Sequence, residues 1–210
     1  KLDSIYKGTL YSDIEIEKIL KKSKVNYVKS QNISKDAAIS ISENKIIGWF
    51  QGRMEVGARS LGSRSILANP INKDARDQVN VNVKNREKWR PFCPSVLEEC
   101  FNQYFLEPKT FCNKEYMIVA FDVQKKVLNQ IPSCIHIDET ARPQKVEKKT
   151  NSLYWNLINY LGEIQNNPIV LNTSFNVKGE PIVENPEQAL RCFFSTCLLY
   201  TSDAADEHSW

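Results

Sequence analysis

Between Gly48 and Pro94 the chain reads GWFQGRMEVGARSLGSRSILANPINKDARDQVNVNVKNREKWRPFCP. It gathers Arg53, Arg59, Arg64, Lys84, Arg86, Lys88 and Arg90 among glycines and polar turns, with few acids to answer them. A hydrophobic core has no use for that many cations close together, because a buried charge without a partner is costly. The fold must either solvate these side chains or converge them on an anion. Guanidinium forks match phosphate oxygens and stay charged at any physiological pH, so a phosphate pocket suits the pattern.

The 210 residues, 41% hydrophobic and 25% charged, suit one ordinary domain with a real core. A net charge of +3 is too small to argue for nucleic acid by itself. No apolar run approaches the length of a transmembrane helix. The start, KLDSIYKGTLYSD, has no apolar signal region and no initiating Met, and reads as part of a longer chain. Cys93, Cys100, Cys112, Cys134, Cys192 and Cys197 form no CxxC pair, and His136 and His208 are the only histidines. No structural zinc site is expected, and reduced thiols point to the cytoplasm.

Ser12 with Glu15 three residues on is a capping-box signature for a helix over 13–24, and Ser34 reads as the cap of a second helix over 35–42. KIIGWF at 45–50 suits a buried strand, and 65–68 another. Ala75, Val79 and Val83 share one helical face over 73–84. Ser95 to Leu97 begins a strand, and YMIVAFDV at 116–123 has the clearest strand composition. Residues 132–143 form a turn-rich loop. Residues 151–165 form an amphipathic helix with Leu153, Leu157, Ile158 and Leu161 on one side. The strand at 168–171 runs into Asn172-Thr173-Ser174-Phe175-Asn176, and Asn185 caps a last helix opened by Pro186. Intermixed helices and strands give an α/β or α+β class with a mixed sheet.

Four groups could carry chemistry. Arg59 and Arg64 in GARSLGSRS sit where glycines let backbone approach a ligand, although pairing to Glu55 or Asp74 would also occupy them. In KNREKWRPFCPS, a helix end explains Lys84 and Arg86, whereas Arg90 between Trp89 and Pro91 is left without a structural reason. In HIDETARPQ, His136 and Asp138 suit a hydrogen-bonded structural pair or a base, with Arg142 beside them. In LNTSFN, Asn172, Ser174 and Asn176 offer donors beyond a strand end, or a self-capping turn. A Ser174, His136 and Asp138 hydrolase can be written, but no GxSxG elbow supports it. No Walker loop or Rossmann fingerprint is present.

The blocks GWFQGRMEVGARSLGSRSILANP, KNREKWRPFCPSVLEE, HIDETARPQ and PIVLNTSFNVKGEPIVENPEQALRCF, in that order, resemble the carboxy-terminal domain of the NodU/CmcH carbamoyltransferase family. The resemblance implies a YrdC-like α/β fold, a twisted mixed sheet with flanking helices around a basic cavity. It implies binding of ATP, with Mg2+ brought by the nucleotide, and of carbamoyl phosphate. The implied product is carbamoyl-adenylate, for transfer of the carbamoyl group to an acceptor hydroxyl by an amino-terminal kinase/hsp70-like domain. Iron or another metal belongs to that domain alone. Carried over by position, the resemblance implies catalytic roles for Lys84, Arg90 and Ser174. It implies substrate or ATP binding by Arg59, Arg64, Arg142, Asn172 and Asn176, and no metal site in this chain.

Ala58, Ser60 and Pro143 depart from the family's usual residues without removing a charge. The alternative reading is a non-catalytic YrdC-like module that binds nucleotide or RNA. The end, CLLYTSDAADE from Cys197, resembles the translation of a transposase sequencing adaptor. On that reading the domain covers 1–196, residues 197–210 are a non-native tail, and the strand that closes the family's sheet is missing. Losing the tail's three acids would raise the net charge from +3 to +6.

Overall fold

The computed structural model describes residues 4–108 and 113–196; the tail discussed above lies outside the described residues. A five-stranded mixed sheet organises the chain. Its strands are β1 (Ile47–Phe50), β2 (Arg64–Ala68), β3 (Cys93–Leu97), β6 (Gln144–Val146) and β7 (Ile169–Ser174), in the order β1-β2-β7-β3-β6. Neighbours are antiparallel except β3 and β6, which run parallel. A separate pair joins β4 (Phe121–Asp122) to β5 (Thr140–Ala141).

Strand alternation sorts the core into faces. Leu67 and Val170 point to one side, where α2 (Ile33–Ser42) and α5 (Ser152–Gln165) cover them with Ala38, Ile41, Leu157, Ile158 and Leu161. Ile66 and Leu171 point to the other. There α3 (Ala75–Gln78), the π turn Val79–Val83 and α6 (Pro186–Phe194) supply Ala75, Val79, Val83, Ala189 and Cys192. Each fully buried aliphatic side chain contributes about 1.5–3 kcal/mol, so both helical layers are held chiefly by this contact.

Local signals decide the element ends. The Ser12–Glu15 capping box opens α1 (Asp13–Lys22), and an Asn185–Gln188 box opens α6. The cap of α2 is Asn32 rather than Ser34, which lies inside the helix and donates to the Leu153 carbonyl at 2.9 Å. In α5 the buried stripe includes Tyr154, and Leu153 is exposed. The helix expected over 73–84 is α3 followed by the π turn.

YMIVAFDV is the clearest departure. Only Phe121–Asp122 forms a strand, and Met117 takes φ +53°. Met117 packs beside Leu61 and Cys93, while Phe121 and Val123 join the cluster around α4 (Phe101–Tyr104). The segment buries its apolar residues by folding between two clusters, so its composition mimics a strand.

Candidate functional site

Lys84 follows the π turn, whose Lys84 N–H to Val79 carbonyl bond spans five residues at 2.9 Å. That wider turn directs the side chain across to the carboxyl end of β7. The Lys84 Nζ there meets the Ser174 carbonyl, Ser174 Oγ at 3.2 Å, the Asn176 carbonyl at 2.9 Å and Asn176 Oδ1 at 2.7 Å. Ser174 Oγ donates to Asn176 Oδ1 at 2.6 Å, and Asn176 Nδ2 donates to the Glu180 carbonyl at 2.7 Å. Each polar atom in the group therefore has a defined orientation. Burial, with Arg86 beside it, pushes the Lys84 ammonium down to about 7.

Arg86 extends the centre, and sequence reasoning did not assign it a role. Its Nε donates to Asn80 Oδ1 at 2.6 Å, and its guanidinium lies 4.8 Å from the centre of the Phe92 ring. Burial and then Arg90 lower its pKa. Asn80, wholly buried, also donates to the Lys88 and Arg90 carbonyls at 3.1 and 2.9 Å, so one amide shapes the whole Lys84–Arg90 loop. The available signal was the Lys84-x-Arg86 spacing, which the helix-end explanation had absorbed. Arg90 is about half exposed and pairs with Glu87 at 2.9 Å.

Cys93 marks the meeting point of the distant blocks. Burial raises its thiol pKa, and the opposing pull comes from Arg142, Arg59 and Arg86. Arg59 and Arg142 are thus brought beside Arg86, although 83 positions separate the first two in the chain. Arg142 also bears on His136, whose pKa is lowered by burial first and by Arg142 second. Lys84 meets Ser174 and Asn176 directly, and Arg86, Arg90, Arg59 and Arg142 lie within electrostatic reach of Lys84, of Cys93 or of one another.

The structure places two expected members elsewhere. Arg64 is fully buried, and its guanidinium donates to the carbonyls of Thr9, Gln51, Gly52 and Ser63 at 2.9–3.3 Å over the Phe50 ring. Its two terminal nitrogens tie loop to strand, and its Nε is buried without a partner. Asn172 lies under the region, donating to the Ser60 carbonyl and Ser95 Oγ at 3.2 and 3.1 Å, with Oδ1 buried and unpartnered. No Ser174–His136–Asp138 relay forms, because Ser174 bonds Asn176, while His136 and Asp138 both bond Thr140.

A twisted mixed sheet with helices on both faces is the architecture of a YrdC-like α/β domain. The fold is similar to full-length HypF in its phosphate- and nucleotide-bound form, with a TM-score of 0.53 at 18% identity over 81% of this chain and 20% of that one. It is also similar to P. abyssi Sua5 complexed with L-threonine, with a TM-score of 0.55 at 13% identity over 81% of this chain and 46% of that one. Residues 38–202 match the family described as Carbamoyltransferase C-terminus, and the chain belongs to that family. It is 43% identical to the uncharacterised protein MJ1058 of Methanocaldococcus jannaschii, over 91% of this chain and 32% of the relative. It is 41% identical to the nodulation protein NolO of Bradyrhizobium diazoefficiens, over 81% and 31%. It is 29% identical to the 3'-hydroxymethylcephem-O-carbamoyltransferase of Streptomyces clavuligerus, over 74% and 29%. The chain spans about a third of the length of these relatives. Among the described residues, no helix is long and apolar enough to cross a membrane.

Proposed function

We propose that this chain is the adenylating part of a cytoplasmic carbamoyltransferase. One carbamoyl phosphate, one ATP and one water yield carbamoyl-adenylate, phosphate and pyrophosphate. Lys84, Arg90 and Arg142 hold phosphates, with Arg59 and Arg86 completing the cationic wall. Ser174 and Asn176 orient the carbamate and the α-phosphate. Asn172 and Arg64 brace the strands that carry these groups. Fixed cations and donors stabilise charge as it grows at phosphorus, with no covalent nucleophile required.

The residues fit phosphate oxygens. Among those described, no group of three or more His, Cys, Asp or Glu is placed to hold a metal ion. Magnesium would enter with the triphosphate. Transfer to an acceptor hydroxyl falls to an amino-terminal kinase/hsp70-like domain, with iron or another metal on that domain's own residues.

The observation that carries this reading is the convergence of Lys84 on Ser174 and Asn176, 90 and 92 positions away. The test is ATP–pyrophosphate exchange that depends on carbamoyl phosphate. The chain should catalyse it, and Lys84→Ala and Arg90→Ala should each lower it at least about a hundredfold. ATP binding without exchange, unchanged in both variants, would overturn the proposal.

A further inference from the structure

Trp89 is the most exposed aromatic residue among those described, at 70%, and the proposed reaction leaves it without a role. An indole kept in water forfeits a large apolar contact, so its position calls for an occupant. The residues that flank it in the chain, Glu87, Lys88 and Arg90, are exposed and charged. That is unlike the contiguous apolar patch by which proteins dock. A lone indole among charges suits a flat ring that carries its own anionic group.

The loop that presents Trp89 is held from beneath. Asn80 is wholly buried, and its Nδ2 donates to the carbonyls on either side of Trp89, that of Lys88 at 3.1 Å and that of Arg90 at 2.9 Å. Its Oδ1 accepts from Arg86 Nε at 2.6 Å, and its backbone carbonyl accepts from the Arg86 N–H at 2.9 Å. With both Nδ2 protons and Oδ1 engaged, the amide has a fixed orientation. One buried group therefore ties the backbone around Trp89 to the guanidinium of Arg86.

Arg86 keeps its outer edge for a ligand. Its Nε is spent on Asn80, and its guanidinium lies over the Phe92 ring, 4.8 Å from the centre. Among the described residues, its two terminal nitrogens have no hydrogen-bond or ion-pair partner. A guanidinium fixed in this way presents a fork that matches phosphate oxygens. Arg90, paired to Glu87 at 2.9 Å, comes only within 5.9 Å of the Trp89 ring centre and leaves the ring open.

We propose that Trp89 is the base platform of this site: the adenine of ATP stacks on its indole while Arg86 grips the phosphates, and Asn80 holds the two in register. Three positions separate Arg86 from Trp89, and the shared amide draws their segments together, a span that a ribose can bridge. Trp89 is then a binding residue and Asn80 a positioning residue. Stacking needs only a π face, so the platform adds affinity for the nucleotide without reading the edge of its base. This inference rests on the ATP- and phosphate-binding reading given above.

Inorganic tripolyphosphate and ATP test it, because both bring three phosphates and only ATP brings a base. In calorimetric titration, Trp89→Ala should weaken ATP about tenfold and leave tripolyphosphate unchanged. Trp89→Phe keeps a ring and should recover most of the loss. In the unaltered chain ATP should quench indole emission as it binds, tripolyphosphate should not, and the quench should be absent in Trp89→Phe. Asn80→Ala should lower the affinity for ATP relative to tripolyphosphate in the unaltered loop, and should lower it no further in Trp89→Ala.

Tripolyphosphate that fails to bind would sink the underlying phosphate site. Tripolyphosphate that binds, with equal ATP affinity in the unaltered chain and in Trp89→Ala, would overturn the platform. A single-stranded oligoribonucleotide that binds through Trp89 more tightly than ATP would overturn it too, by giving the indole to nucleic acid. An Asn80→Ala effect of the same size in Trp89→Ala would take the positioning role from Asn80.

Discussion

Lys84 is buried, has Arg86 for a neighbour, and titrates at about 7. In the free protein near neutral pH it is therefore only partly charged. An anion bound against it favours the ammonium and raises its pKa, so binding takes up a proton above pH 7. Sulfate, whose own charge is constant, should bind best below pH 7 and lose about tenfold in affinity per unit above it. Calorimetry in buffers of different ionisation enthalpy should read up to one proton taken up in the unaltered chain and none in Lys84→Met. Arg64 makes the contrary case. Replacing it with Met removes a buried guanidinium that bonds four carbonyls, and should cost about 3 kcal/mol of stability in urea titration. Since Arg64 spends its fork on those carbonyls, a folded Arg64→Met chain should keep its sulfate affinity. Sequence alone grouped Arg64 with Arg59, because spacing shows where cations are dense and not which way they point. Arg86 escaped assignment for the complementary reason, since a helix-end cation needs no ligand to explain it.

At the scale of elements, what could be read early was local chemistry. The Ser12–Glu15 box and the Asn185–Pro186 start are decided by side chains within three residues, and both appear as expected. The face of Ala75, Val79 and Val83 was also legible, because π and α turns keep these positions on nearly one side. The π turn itself was not, for nothing in the local spacing separates it from an α turn. YMIVAFDV misled because strand composition describes burial, and burial here comes from two clusters, with only Phe121–Asp122 paired to a strand. Gly62 shows how tightly the loop before β2 is fitted to its helix. It has φ +99°, and a Cβ would lie 2.2 Å from Tyr154 Cδ1. Gly62→Ala combines left-handed strain with overpacking against a fully buried ring, and should cost about 3 kcal/mol. The same loop carries Arg59 and Ser60, so the variant should also weaken sulfate binding. An unchanged unfolding midpoint would show that the helix and loop are less closely fitted than these distances require.

For the whole molecule, the site draws its parts from every region of the described chain. The loop before β2 gives Arg59, the π turn gives Lys84, the segment after β5 gives Arg142, and the end of β7 gives Ser174. Five cations facing one region repel each other when it is empty, and Arg86 adds to the burial that lowers the Lys84 pKa. An anion that binds there neutralises the repulsion and bridges segments that the sheet joins only through its core. Binding to the folded state alone stabilises by mass action, about 2.7 kcal/mol at one hundred times the dissociation constant. For a chain of this size that corresponds to a rise of about 5–10 °C in Tm. Pyrophosphate should therefore raise Tm progressively with concentration, and added potassium chloride should weaken the effect because exposed Arg59 and Arg90 are screened. Lys84→Ala and Arg86→Ala should flatten the rise, measured from each variant's own ligand-free Tm, which loss of the bonds to Ser174, Asn176 and Asn80 lowers. A Tm that ignores pyrophosphate in the unaltered chain would mean that these side chains share a neighbourhood without sharing a ligand.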